Sequence, residues 1–122
     1  MAVPILRQRD VLIASIQVAQ TDDDLLALRD QLAEQVGGAR AKGVIIDVSA
    51  LDVMDSFATR TLRSIAYSSR LRGAHTIVVG ISPDVAFAMV QLGLDLGAVS
   101  TALDLDDAIA ELEAHRQIEH QA

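Results

Sequence analysis

The chain has 122 residues, a length that suits one domain with its own hydrophobic core. Its hydrophobic fraction of 51% excludes a disordered chain, and its net charge of −7 argues against a nucleic-acid-binding surface, which needs clustered Lys and Arg. Cysteine is absent, which excludes disulfides and thiolate chemistry. The N-terminus carries no signal-peptide pattern, and no apolar run approaches the roughly 20 residues that span a bilayer, so we expect a cytoplasmic domain.

The first third of the chain predicts a strand pair followed by a helix. Two apolar stretches, residues 3–6 and 11–18, are separated by the polar sequence RQRD and fit a hairpin. Thr21 and Asp24 have the spacing of a capping box at the start of a helix. Gly37 and Gly38 predict the end of that helix. Its inner face repeats at helical spacing and consists of Leu25, Leu28, Leu32 and Val36.

The middle of the chain predicts two buried strands on either side of a helix. GVIIDV and HTIVVGI are short apolar runs rich in β-branched residues, which is typical of parallel strands. The sequence SFATRTLRSIAYSSRLRG between them predicts a helix that ends at Gly73. Its predicted inner face consists of Ala58, Leu62, Ile65 and Ser69, with Phe57 and Thr61 beside them.

The last third predicts a helix, a short strand and a final helix. Ser82 and Pro83 stand at the cap and the first position of the first helix, where proline needs no N–H. AVSTAL is a candidate strand, and Asp104 is the predicted cap of the last helix. Leu105, Ile109 and Leu112 are expected to point inward.

The predicted order is β-β-α-β-α-β-α-β-α, which indicates an α/β fold with a mostly parallel or mixed sheet of about four or five strands and about four helices. Right-handed crossovers connect the parallel strands. We expect one domain over residues 1–122, with its core at about 4–112 and a tail, 113–122, that frays.

Enzyme chemistry finds little support in the sequence. Ser56 is not in a G-x-S-x-G elbow, and no histidine lies near it in sequence. The fold could bring His75 close to Ser56 to form a dyad, but the favoured interpretation is that the histidines lie on the surface. His115 and His120 lie five apart, which is poor metal-binding geometry on a helix. GGARAKG lacks the spacing of a phosphate-binding loop. We predict no catalytic residue and no cofactor.

Three carboxylates lie close to Ser56 in sequence. Asp47, Asp52 and Asp55 offer oxygen ligands of the kind that Mg²⁺ binds. The alternative is a solvated acidic loop at the end of a strand, and this interpretation is the favoured one. No metal site is therefore predicted.

Ser56 itself has two interpretations. It lies where a loop meets a helix, and as an N-cap it would contribute about 1 kcal/mol. As a phosphorylation site it would gain about −1.5 to −2 charges at a helix N-terminus, which stabilises anions. Arg60 lies one turn further on, within reach of such a phosphate. Arg60, Arg63 and Arg70 fall near one stripe of the helix, which is either solvated or a docking face.

Several motifs resemble those of the STAS domain family, which includes anti-sigma factor antagonists and the cytoplasmic tails of sulfate transporters. They are GVIIDVSALDVMDSFATRTL, LRGAHTIVVGISPDVAFAMVQLGL, TALDLDDAI and the early VLIASIQ. The D-S-F triplet and the GISP turn are the most specific parts, and the resemblance covers residues 4–112. Within the family, the chain is most similar to the small scaffold proteins of the bacterial stressosome, the RsbS type. Phe57 and Ala58 after the serine, in place of Ser or Thr and then Gly, favour that branch.

The resemblance implies a non-enzymatic phospho-switch. Scaffolds of this type assemble with RsbR-type paralogues, which carry an additional sensory domain, and hold an RsbT-type serine kinase. The kinase phosphorylates the D-S-F serine under stress and is released, and an RsbX-type phosphatase resets the site. The corresponding serine is Ser56; its neighbours are Asp47, Asp52, Asp55 and Phe57, and Arg60 and Arg63 are candidates for partner docking or phosphate pairing. Self-association is expected, and neither nucleic acid nor a membrane is an expected partner.

Two alternatives belong to the same fold. A simple anti-sigma factor antagonist would bind an anti-sigma kinase in a small complex. A ligand-binding STAS domain would hold an anion or nucleotide at the helix N-terminus near Ser56.

Overall fold

A computed structural model describes residues 3–18, 20–97 and 99–121, without the side chains of 116–121. In these ranges the chain forms five strands and four helices in the predicted order. They are β1 (Ile5–Gln8), β2 (Val11–Ser15), α1 (Asp22–Ala39), β3 (Gly43–Asp47), α2 (Ser56–Leu71), β4 (His75–Val79), α3 (Pro83–Gln91), β5 (Ser100–Ala102) and α4 (Leu105–Gln121). No helix in this part of the chain is both long enough and apolar enough to cross a membrane.

The strands form one mixed sheet in the order β1-β2-β3-β4-β5. The hairpin pair β1 and β2 is antiparallel, and every other neighbouring pair is parallel. The predicted α/β fold is therefore confirmed. Strand β1 extends into the polar segment, because Arg7 and Gln8 pair with Leu12 and Val11 and leave only a tight turn between the two strands.

The two faces of the sheet carry separate cores, because side chains alternate along a strand. The larger core lies under α1, α2 and α3; its strand residues include Leu12, Ala14, Val44, Ile46 and Val78. The smaller core lies under α4 and contains Ile13, Ile45, Ile77, Val79, Ala108 and Leu112. Gly43 lets α4 approach closely, because a Cβ there would lie 2.7 Å from Leu112 Cδ1.

Helix α1 confirms the predicted capping box and inner face but not the predicted end. The Thr21 hydroxyl accepts a hydrogen bond from the Asp24 N–H at 3.1 Å, and Asp24 Oδ2 accepts one from the Thr21 N–H at 3.2 Å. The helix continues through both glycines, and Arg40 ends it with a left-handed φ of 51°. Gly37 lies against the guanidinium of Arg72, the flexible end of an exposed side chain, which a Cβ at Gly37 would displace.

Helix α2 ends two residues earlier than predicted, at Leu71, with Gly73 just beyond it at φ 88°. Its buried face also includes Thr59 and Ala66, which the apolar pattern did not assign to it. Thr59 is a polar residue with 1% of its surface exposed, and its hydroxyl donates to the Asp55 carbonyl oxygen at 2.9 Å. That local bond satisfies the hydroxyl and allows it to be buried.

The last helix departs from the prediction at one residue. Asp104 is the cap, because its Oδ1 accepts a hydrogen bond from the Asp107 N–H at 2.9 Å. Leu105 was expected to point inward and is instead 39% exposed, whereas Ala108 is fully buried. Leu112 is buried and Ile109 is half-buried, as expected. The helix continues to Gln121, and the fraying expected for residues 113–122 stays a prediction.

Candidate functional site

The parallel strands bring Ser56 to one edge of the sheet. Strand β3 ends at Asp47, and the loop that follows leads directly into α2, whose first residue is Ser56. Ligand and recognition sites of open α/β sheets occur at this carboxyl edge. The Ser56 side chain is exposed.

Asp55, and not Ser56, is the N-cap of α2. The Asp55 backbone is extended, and its Oδ1 accepts a hydrogen bond from the Ala58 N–H at 2.7 Å. The interpretation of Ser56 as a cap is therefore wrong. A carboxylate one residue earlier takes the position because a capping side chain must come from the last non-helical residue. The Ser56 hydroxyl is left without a structural task in the described part of the chain.

Asp47 fixes the start of the loop. Its Oδ1 accepts two hydrogen bonds from Ser49, one from the backbone N–H at 2.9 Å and one from the hydroxyl at 2.6 Å. Ser49 in turn lies against the turn that follows β4, since a Cβ on Gly80 would come within 2.6 Å of Ser49 Cβ. Gly80 also has a φ of 84°, which favours glycine. The two loops beside Ser56 are thereby held against each other.

The three carboxylates near Ser56 differ in their surroundings. Asp52 and Asp55 are exposed, while one oxygen of Asp47 is engaged by Ser49. Across the described residues, no group of three or more His, Cys, Asp or Glu side chains is placed to hold a metal ion. The side chain of His120 lies outside the described residues.

An apolar surface adjoins Ser56. Phe57 is half-buried and packs against the larger core, so it anchors the start of α2. Val53, three residues before Ser56, is 75% exposed. The loop before α2 therefore presents an exposed valine close in the chain to the exposed serine.

The exposed side of α2 is one continuous stripe that starts at Ser56. Its members lie at i, i+4, i+7, i+11 and i+14, and neighbours at these spacings share a helix face; they are Ser56, Arg60, Arg63, Tyr67 and Arg70. All five are exposed, which confirms the predicted stripe. Among the described side chains, the Arg60 guanidinium forms no ion pair.

A dyad of His75 and Ser56 is excluded by the topology. His75 begins β4, Ser56 follows β3, and α2 between them has 16 residues, which is about 24 Å of helix at 1.5 Å per residue. His75 Nε2 lies 3.0 Å from Ser100 Oγ and 3.6 Å from Glu111 Oε2. The Ser100 hydroxyl and the Glu111 carboxylate therefore both approach Nε2 of His75, whereas in a catalytic triad the two partners contact different ring nitrogens. Burial lowers the pKa of His75 and so favours its neutral form.

A model of the STAS domain family matches residues 7–108, and the chain therefore belongs to the STAS domain family. Within it, the structure is similar to that of a serine-to-glutamate variant of RsbS from Moorella thermoacetica, with a TM-score of 0.81 and 34% identity over 94% of this chain and 97% of that one. It is also similar to a chain from the "molecular architecture of the stressosome", with a TM-score of 0.76 and 35% identity over 93% and 98%. The resemblance to the RsbS type is confirmed.

Relatives in sequence include longer proteins. The RsbT co-antagonist protein RsbRD of Bacillus subtilis is 30% identical over 81 residues, which are 66% of this chain and 29% of the relative. RsbRA of the same organism is 30% identical over 82 residues, or 67% and 30%. The chain thus spans about three tenths of the length of these relatives.

Proposed function

We propose that this chain is a non-enzymatic phospho-switch scaffold of a stressosome, with Ser56 as the phosphorylated residue. One observation carries the proposal. The chain is similar over nearly its whole length to stressosome STAS chains, and its D-S-F serine is exposed at the first residue of a helix with no structural task of its own. Because a kinase supplies the chemistry, the serine needs no activating base.

The proposed partners follow from the relatives. RsbR-type paralogues would co-assemble with this chain, since the curated relatives are RsbT co-antagonists of that type. An RsbT-type serine kinase would dock at the Ser56 edge, and an RsbX-type phosphatase would remove the phosphate. Self-association and a cytoplasmic location belong to the same proposal.

The switch would act through surface charge and not through refolding. A phosphate adds about −1.5 to −2 charges on a surface that already presents the exposed carboxylates of Asp52 and Asp55. The cap hydrogen bond from Ala58 to Asp55 does not involve Ser56, so α2 keeps its start when the serine is modified. Added negative charge and its desolvation weaken a docked kinase surface. Arg60, one turn along the same stripe, would pair with the phosphate.

The first experiment is the intact mass of the protein after incubation with an RsbT-type switch kinase, ATP and Mg²⁺. We expect one added phosphate on the native chain and none on Ser56→Ala. Because Ser56 makes no cap bond, the Ser56→Ala protein keeps its fold and is a clean control. Phosphate on the mutant, or none on the native chain with a kinase that modifies another substrate, contradicts the proposal.

The second experiment is the particle size of the chain mixed with an RsbR-type paralogue, measured by light scattering. We expect a large multimeric particle that contains both chains and captures the kinase. A small complex formed only with the kinase would contradict the scaffold and indicate a simple anti-sigma factor antagonist.

A further inference from the structure

A groove runs beside the exposed stripe of α2, away from the Ser56 edge. Its walls are the part of the stripe from Arg60 to Arg70, the first residues of β4 and the loop before β5. Its volume is about 490 Å³. Small-molecule sites have volumes of roughly 300–1,000 Å³. The groove is therefore large enough for a small organic ligand.

The groove concentrates positive charge in an acidic protein. Arg60, Arg63 and Arg70 all line it, although the chain carries a net charge of −7. Among the side chains of residues 3–18, 20–97 and 99–115, none of the three forms an ion pair with a carboxylate. Arg63 lies along the backbone of Gly97, where a Cβ would be 3.4 Å from its Nε. Three guanidinium groups around one groove repel each other, and an anion between them relieves that repulsion.

The floor of the groove holds a second, independent sign of a ligand. Thr76 lines the groove and is only 3% exposed, and its hydroxyl has no hydrogen-bond partner among the described residues. Thr76 lies on the α2 face of β4, two residues before Val78 of the larger core. A buried hydroxyl without a partner is destabilising, so a ligand that gave Thr76 a hydrogen-bond partner would relieve that cost.

We propose that this groove binds a small organic phosphate. The phosphoryl group would lie among Arg60, Arg63 and Arg70, and the buried Thr76 hydroxyl would pair with an oxygen of the organic part after its side chain turns toward the groove. Tyr67, which is 66% exposed on the same wall, offers its ring face to the ligand. This site goes beyond the proposed function and does not rest on it. Since Arg60 also lies one turn from Ser56, a ligand in the groove would compete with a phosphoserine for that guanidinium.

The test is isothermal titration of the full chain at low ionic strength with three probes: inorganic phosphate, ribose and ribose 5-phosphate. We expect ribose 5-phosphate to bind more tightly than phosphate, and ribose alone not to bind, because the anionic group supplies the main contact. Saturation by none of the probes at millimolar concentration overturns the proposal.

Two variants locate the binding. Arg63→Gln should weaken binding of ribose 5-phosphate at least about tenfold, because it removes a charge-assisted contact. Lys42→Gln is the matched control, since Lys42 is exposed outside the groove and the charge change is the same. An equal loss in both variants would mean non-specific attraction and would overturn the site.

Thr76→Val tests the floor without a change of charge. Valine has nearly the same shape and removes the unpaired hydroxyl, so the unliganded protein should be at least as stable in urea as the native chain. Affinity for ribose 5-phosphate should fall several-fold, while affinity for inorganic phosphate stays the same. Unchanged affinity for ribose 5-phosphate would remove Thr76 from the site and refute the proposed arrangement.

Discussion

Asp55 Oδ1 accepts a hydrogen bond from the Ala58 N–H at 2.7 Å, so the residue before the candidate phosphorylation site carries the helix cap. The helix cap and the candidate phosphorylation site are thereby divided between neighbours. Asp55 starts α2, and the Ser56 side chain is exposed. A modification of Ser56 can change the surface charge without removing the bond that begins the helix.

The first prediction concerns this division. Asp55→Ala should lower the free energy of unfolding by about 1 kcal/mol, because it removes the cap. Ser56→Ala should change it by less than about 0.5 kcal/mol, as an exposed substitution away from any cap does. Urea denaturation of both variants measures the difference, and Asp55→Asn, which can still accept the bond, is the control. Equal losses for Asp55→Ala and Ser56→Ala would contradict the assignment of the cap.

The second prediction concerns the charge mechanism. Ser56→Asp should weaken kinase binding, but less than phosphorylation does, because a carboxylate carries less charge and fewer acceptor oxygens. Asparagine has nearly the same size as aspartate but no charge, so the Ser56→Asn variant should bind the kinase as the native chain does. Titration of the kinase with each form measures the affinities. Equal weakening by asparagine and aspartate would show that shape, and not charge, controls release.

The third prediction concerns the end of α1. Arg40 has a φ of 51°, a left-handed backbone that costs most residues about 1–2 kcal/mol. Arg40→Gly should therefore raise the free energy of unfolding by up to about 1 kcal/mol, since glycine adopts this backbone freely but loses more entropy on folding. Arg40→Ala keeps the strain and should show no such gain in urea denaturation. Equal stability of the glycine and alanine variants would contradict the prediction.

The fourth prediction concerns pH. Burial lowers the pKa of the His75 imidazole. The nearby charges of His115 and Arg70 lower it further, whereas Glu111 raises it. The Ser100 hydroxyl is the hydrogen-bond neighbour of His75. In the unfolded chain the imidazole has its usual pKa of about 6.5. As the pH falls below that value, the unfolded chain binds a proton that the folded chain does not yet bind, so stability falls until the lower folded-state pKa is reached.

Urea denaturation between neutral and mildly acidic pH measures this loss. His75→Gln removes the titrating group, so its stability should depend less steeply on pH over the same range. Identical pH profiles for the native chain and His75→Gln would show that other groups cause the change.

Local patterns in the sequence were sufficient to predict the helices and strands, and to predict the arginine stripe beside Ser56. The capping box of Thr21 and Asp24 and the serine and proline that open α3 depend only on neighbours three or fewer residues apart, and both are confirmed. The arginine stripe follows from helical spacing and is confirmed as well. Such features are predictable because the interacting groups are close in the chain.

The errors arise where distant packing decides between local options. Gly37 was expected to end α1, but the helix continues past it, and Gly37 lies against the side chain of Arg72, the residue after α2. Leu105 was placed in the core, yet the sheet face under α4 is filled by Ala108 and Leu112. Serine and aspartate both cap helices well, so the sequence D-S-F could not show which of Asp55 and Ser56 does so here.

The sequence by itself determined the α/β element order, the STAS family and the serine on which a switch would act, because hydrophobic period, caps and motifs are properties of short segments. Tertiary structure alone decided that His75 lies a helix length from Ser56, and that Thr76, whose hydroxyl is unpaired among the described residues, lines the same groove as three arginines. Those relationships join β4, α2 and the loop before β5, and they exist only once the parallel sheet has set its register and α2 has packed against it.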